Sequence, residues 1–154
     1  MLFVDQSAAC IMMSKGLART IGIPDEHLVY LHGCGDAYES QTTLFRPSLH
    51  RSEATRLAGD RAMTQAGITP DQIGLVDLYT CFPIAAQAAA REFGLDSTDG
   101  KKMTLIGGLM YNGGPGANTA MHGLAAMVPK LRSQAGSYGV SLPSKERTLV
   151  LLQG

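Results

Sequence analysis

Apolar residues fall in short runs separated by glycine, proline and polar clusters, and the runs alternate between strand-like and helix-like spacing. Ala8 to Met13 (AACIMM) is a continuous apolar run too short for a typical helix, and it predicts a strand covered on both faces. Ser14 then predicts a cap for a helix over Lys15 to Ile21, closed by Gly22 and Pro24. Leu28 to Leu31 predicts the next strand, ended by the glycines of His32-Gly33-Cys34-Gly35-Asp36. Residues 39–49 are largely polar, contain Pro47 and show no period, which predicts an irregular insertion placed to act as a lid.

From Ser52 the positions Ala54, Leu57, Ala58, Ala62 and Ala66 recur at helical spacing, with Gly67 where a left-handed terminating residue belongs. Thr69-Pro70-Asp71 predicts a short helical turn, and Leu75 to Tyr79 (LVDLY) a strand. A helix over Pro83 to Phe93 ends at Gly94. Its many alanines predict burial nearly all round and close approach of its neighbours. Met103 to Ile106 predicts a further strand, broken by Gly107-Gly108 and the glycine-rich stretch to Asn118. A helix follows with Met121, Leu124, Ala125, Val128 and Leu131 on one face and a kink at Pro129. Tyr138 to Leu142 and Thr148 to Leu152 form a closing hairpin around Pro143 to Glu146. Strands alternating with helices and then a hairpin predict an α/β domain with a mixed sheet.

The chain has 154 residues and is 45% hydrophobic, enough for one domain with one sizeable core. Lys+Arg and Asp+Glu number 13 each, so no net positive charge draws it to nucleic acid or an anionic membrane. No apolar run approaches the ~18 residues of a membrane span. Three cysteines, Cys10, Cys34 and Cys81, are odd in number and unpaired in spacing, which predicts a reducing compartment, with cytoplasm as the default.

Three features carry candidate chemistry. Tyr79-Thr80-Cys81-Phe82-Pro83 lies between a strand end and a helix start, where ligands collect in open α/β sheets and free amide hydrogens meet developing negative charge. Cys81 is there either a nucleophile or proton carrier, or a small core residue. Gly107, Gly108, Gly113, Gly114 and Gly116 make five glycines over ten positions, read either as a ligand loop or as a tight turn packed on a helix. The stretch is neither G-x-G-x-x-G nor a P-loop. His122, one turn into the last helix, is either a general base or a hydrogen-bonded surface residue. His27, His32 and His50 show no metal-ligand spacing, and no metal is expected.

Taken together, these segments resemble the C-terminal half of the thiolase superfamily, in particular sterol-carrier-protein-type thiolases and thiolase-like proteins. Asp5-Gln6-Ser7-Ala8-Ala9 is similar to the N-D-G-A-A opening of that half, and Cys10 to Ser14 to its buried strand. Asp77-Leu78-Tyr79-Thr80-Cys81-Phe82 is similar to the motif written N-E-A-F or H-D-C-F, and Gly107 through Gly116 to the G-G…G-H-P loop. The resemblance implies a thiolase-like C-terminal domain over residues 1–154: a five-stranded mixed sheet with helices on both faces. It also implies that the domain packs on a similar N-terminal half through central buried helices, a layer the alanine-rich helix would fit.

The implied chemistry is Claisen condensation or thiolysis of coenzyme A thioesters, as in acetyl-CoA acetyltransferases of lipid metabolism. The coenzyme A thioester is the substrate, no cofactor is bound covalently, and the acylated cysteine lies in the N-terminal half. Tyr79, Cys81 and His122 are then the catalytic candidates. Phe82, Gly107, Gly108, Asn112, Gly113, Gly114, Gly116 and Asn118 are the candidate substrate-binding residues. The expected partners are acyl-CoA and either an N-terminal half or a second copy of the chain. Three positions depart from the family pattern: Tyr79 stands for Asn or His, Gly114 for the histidine of G-H-P, and no cysteine follows Cys81 to supply the C-x-G motif. Two other readings accordingly stand beside acyl transfer: a non-catalytic module binding acyl-CoA or a partner protein, and an aldolase-like component with Tyr79 as proton carrier.

Overall fold

The computed structural model describes residues 4–40, 42–95, 98, 103–142 and 149–154, without the side chains of residues 43 and 149. In chain order the elements are α1 (Lys15–Thr20), β1 (Tyr30–Gly35), α2 (Glu53–Ala66), β2 (Ile73–Leu78), α3 (Pro83–Glu92), α4 (Leu109–Asn112), α5 (Thr119–Ser133), β3 (Tyr138–Leu142) and β4 (Leu149–Gln153). The strands form one mixed sheet in the order β1-β4-β3-β2. β2 runs parallel to β3, whereas β4 is antiparallel to both of its neighbours. The sheet thus has four strands among the described residues, not five. Of the predicted hairpin, both strands are present, while 143–148 lie outside the described residues.

Local chemistry sets the helix ends. Ser14 Oγ accepts from Leu17 N–H at the start of α1, and Ser52 Oγ accepts from Thr55 N–H at the start of α2. Gly67 closes α2 at φ 67°, a conformation that costs a side-chain-bearing residue a Cβ clash. Among the described residues between β1 and α2, the regular element is a single 3-10 turn at Thr43–Phe45.

α2 and α3 cover one face of the sheet, where Ala58, Ala62, Ala89, Ala90 and Phe93 meet Val76, Leu78, Val140, Leu142 and Leu151. α5 lies on the other face. Parallel register puts Asp77 beside Ser141, and Asp77 meets Gly123 of α5 while Gly139 meets Met127. The buried stripe of α5 is therefore Thr119, Gly123, Met127 and Leu131. Of the predicted face Leu131 is buried, whereas Met121, Leu124, Ala125 and Val128 are only half-buried, because the side of the helix that touches the sheet is the one carrying Gly123 and Met127. Pro129 lies within α5, near its C-terminal end.

Other expectations are corrected by packing. Gly33 does not end β1 but lies inside it, and Gly35 is its last residue. A Cβ at either position would overlap the backbone carbonyl oxygen of Ala62 or Ala58, so the glycines are what lets α2 sit directly on the strand. α3 is not buried all round. Ala86, Ala88, Ala89 and Ala90 face inward against the sheet and α2, while Ile84 is 52% exposed.

Neither Ala8–Met13 nor Met103–Ile106 is a strand. Residues 4–14 have no regular structure, and Ile11 and Met12 are 87% and 78% exposed, because no strand lies beside them in register. Beside β2, Met103 carbonyl accepts from Leu78 N–H at 2.8 Å, but there the ladder stops. Leu105 N–H instead donates to the carboxylate of Asp77 at 3.0 Å, as does Thr104 Oγ1 at 3.0 Å. A side chain replaces the strand partner. Among the described residues no helix is long and apolar enough to cross a membrane.

Two outcomes follow from this packing. Gly35→Ala should destabilise the chain by about 2 kcal/mol, as overpacking does, with a lower urea midpoint and an unchanged slope; a midpoint equal to wild type would show that α2 does not press on β1. Burial pushes the Asp77 carboxyl above its ordinary value, although the bonds from Leu105 and Thr104 oppose the shift. Folded Asp77 thus holds its proton more tightly than unfolded Asp77, so its contribution to stability is present below about pH 4 and is lost as pH rises through the folded pKa. Asp77→Asn keeps the Oδ1 acceptor and lacks the charge, so stability measured from acid to neutral pH should fall less in the variant than in wild type. A steeper fall in the variant would contradict the assignment.

Candidate functional site

β2 and β3 end side by side, Leu78 opposite Leu142. Beyond Leu78 the chain leaves the sheet through Tyr79 to Phe82 and enters α3 at Pro83, whose missing N–H costs nothing in a first helical turn. The glycine stretch returns to the same place. Thr80 Oγ1 accepts from Leu109 N–H at 3.0 Å, and Thr104 Oγ1 accepts from Gly108 N–H at 3.2 Å. Gly108 has φ 73°, and a Cβ there would stand 2.6 Å from Thr80 Oγ1. Only glycine brings the backbone this close.

Between the two stretches lies a cleft walled by Tyr79, Thr80, Gly108, Leu109, Thr119 and Ala120, with Asp77, Leu78 and Leu142 at its floor. Its empty space of ≈ 220 Å³ includes the open mouth, so it is a shallow cleft and not an enclosed pocket.

Of the sequence-selected residues, Tyr79 and Gly108 line this cleft. Tyr79 is half-buried; burial pushes its phenol above the ordinary tyrosine value, and the adjoining Cys81 thiol adds to the shift by charge and hydrogen bonding. Tyr79 is therefore a protonated donor at neutral pH. Cys81 is half-buried beside it. Phe82 is 69% exposed and points away from the core. Gly107 packs against Tyr111, and Gly116 is exposed. Asn112 is half-buried with its Nδ2 unpartnered among the described residues. Gly114 is half-buried.

His122 is half-buried but is not a wall of the cleft; its Nδ1 lies 3.1 Å from the Asn118 carbonyl, which assigns the ring proton to Nδ1. Asn118 faces the amino-terminal segment. Its Oδ1 accepts from Ala8 N–H at 2.8 Å and its Nδ2 donates to the Ala8 carbonyl at 3.3 Å. Gly113 lies against Val4 and Gln6 of the same segment. The structure thus gathers Tyr79, Cys81 and Gly108 at one edge of the sheet, and leaves Phe82, His122, Gly113 and Asn118 outside the cleft.

Sequence reasoning passed over Thr80, Thr104 and Asp77. For Asp77 a signal was present, a lone carboxylate inside the apolar run LVDLY, since a charge in a covered strand requires a partner. Thr80 and Thr104 carried none, because a threonine beside a strand end is ordinary. Among the described residues no three or more His, Cys, Asp or Glu side chains come together as metal ligands.

No protein-family model matches the chain. It is 28% identical over 151 residues to a 3-ketoacyl-CoA thiolase of Yersinia pestis (strain Pestoides F), an alignment covering 89% of this chain and 33% of the relative. A 3-ketoacyl-CoA thiolase of Yersinia pseudotuberculosis (serotype O:1b) matches to the same extent. Among solved structures, a monomeric SCP2-thiolase like protein type 1 from Mycobacterium smegmatis superposes with a TM-score of 0.82 at 33% identity, over 92% of this chain and 32% of that one. The chain spans about a third of the length of the relatives it matches. Sequence and fold agree, and the chain belongs to the thiolase superfamily as a module of its C-terminal half.

Proposed function

We propose that this chain is the C-terminal half of an acyl-CoA C-acyltransferase, working on coenzyme A thioesters together with an N-terminal half that supplies the acylated cysteine. The observation that carries the reading is the hydrogen bond from Leu109 N–H to Thr80 Oγ1, which joins the two motif stretches at one cleft beside the strand ends. In this role the Tyr79 hydroxyl donates to the oxygen of the thioester as negative charge develops there. Its raised pKa suits a donor that must keep its proton. Cys81, beside Tyr79, is the proton carrier. The shallow form of the cleft agrees with a site completed by a second protein surface, and exposed Ile11, Met12 and Leu17 are apolar surface that such a partner, or a second copy of the chain, would cover.

One observation favours the non-catalytic alternative, a module that binds acyl-CoA or a partner protein. Gly114 takes the place of the motif histidine, and His122 does not line the cleft to replace it.

Mixing the chain with a cognate N-terminal half should restore thioester-dependent turnover, and Tyr79→Phe should lower it about a hundredfold, the worth of one oxyanion donor. Acyl-CoA binding without turnover would establish the module instead. Turnover that survives loss of the partner's cysteine but vanishes in Tyr79→Phe would establish the aldolase-like reaction. Separately, the phenolate absorbance that disappears in Tyr79→Phe should titrate above the ordinary tyrosine value of about 10. Titration at or below that value would show that burial in this cleft does not act on the Tyr79 phenol.

A further inference from the structure

Thr80 is one of the walls of the cleft, and its hydroxyl is held from two sides. Leu109 N–H donates to its oxygen, and the Cα of Gly108 closes on it so tightly that a Cβ there would stand 2.6 Å away. A hydroxyl can accept and donate at once. Accepting from Leu109 occupies part of its acceptor capacity, and among the described residues its own hydrogen meets no acceptor.

The neighbouring threonine behaves differently. Thr104 Oγ1 accepts from Gly108 N–H but donates to Asp77 Oδ1, so both of its roles are filled inside the protein. The backbone amides at this lip are filled too. Gly108 and Leu109 each give their N–H to a threonine hydroxyl, and neither is left to bind a ligand. The glycines shape the site, and the free donor beside Tyr79 is a side chain.

We infer that the Thr80 hydroxyl is a ligand-facing hydrogen-bond donor of this cleft, directed at a carbonyl oxygen, and that Asp77 and Thr104 are positioning residues that hold the Gly108–Leu109 backbone against it. This rests on the thioester reading above, which names the carbonyl as that of an acyl-CoA. Tyr79 and Thr80 then form a pair of hydroxyl donors from adjacent residues, in place of a pair of backbone amides. The hydrogen bond from Leu109 N–H polarises the Thr80 hydroxyl and strengthens its donation. No bond is made or broken at Thr80. Its part is to orient the thioester and to stabilise charge on the oxygen.

Calorimetric titration of the chain paired with a cognate N-terminal half, with acetyl-CoA and with coenzyme A, tests this, since only the former carries the carbonyl. Thr80→Val should weaken acetyl-CoA roughly three- to tenfold, the worth of one neutral hydrogen bond, and leave coenzyme A unchanged. Thr80→Ser should bind both as wild type does. A folded Thr80→Val that binds acetyl-CoA unchanged, or that loses both ligands equally, overturns the assignment.

Should Thr80→Val fail to fold, wild type decides. Acetyl-CoA but not coenzyme A should move the Leu109 amide resonance, and should lower the carbonyl stretch of the labelled acetyl group. Absence of both effects with acetyl-CoA bound overturns the Thr80 role alone. Wild type that binds neither molecule overturns the thioester reading and this inference with it.

Discussion

The carboxylate of Asp77 does the work of a missing strand. Among the described residues β2 is the edge of the sheet, and one backbone bond, from Leu78 N–H to Met103, reaches beyond it. Past that bond Asp77 Oδ1 takes over, accepting from Leu105 N–H and Thr104 Oγ1. Asp77 is only 5% exposed, and an unpaired charge at such a depth would be costly. Two hydrogen bonds offset part of that cost, and in return the segment that leads to Gly107 and Gly108 is tied to the sheet. Thr104 passes the constraint on to Gly108, and Leu109 passes it to Thr80. The geometry of the cleft descends from one buried carboxylate.

The same site depends on residues that are small for a reason. Gly123 leaves the space that Asp77 fills, for a Cβ there would overlap the carboxylate. Gly139 makes room for Met127, which is wholly buried. On the opposite face Gly33 and Gly35 allow α2 to rest on the backbone of β1, with Ala58 and Ala62 at the contact. Glycine in the strand thus lets the α2 backbone approach on one face and the Met127 side chain fit on the other. Glycine in a strand is ordinarily unfavourable by about 0.5–1 kcal/mol against alanine, and here close packing outweighs that.

As a thiolase-superfamily module, the chain carries two of the motifs its relatives' fold brings together, and carries them in altered form. Tyr79 places a phenol where the motif has an amide or imidazole, and Gly114 removes an imidazole altogether. Ile11, Met12 and Leu17 are exposed apolar surface of the module.

Much of this was legible in the residues. The caps at Ser14 and Ser52, the stop at Gly67, the strand around Val76 and the closing hairpin all follow from local rules, because each depends on a few neighbouring side chains and backbone angles. The meeting of the Thr80 and Gly108–Leu109 stretches is not local, since it needs both to return to one edge of the sheet. What periodicity did not reveal was which apolar runs would find a partner. Ala8–Met13 and Met103–Ile106 have strand composition but lack a ladder, since a strand exists only by pairing with a segment distant in sequence. Gly33 and Gly35 read as a break, yet the approach of α2 makes them part of the strand. That Thr80 lines the cleft and His122 does not was hidden for the same reason. A residue's side of a helix or strand end is local, but whether that side opens on a cleft is decided by which elements pack against it.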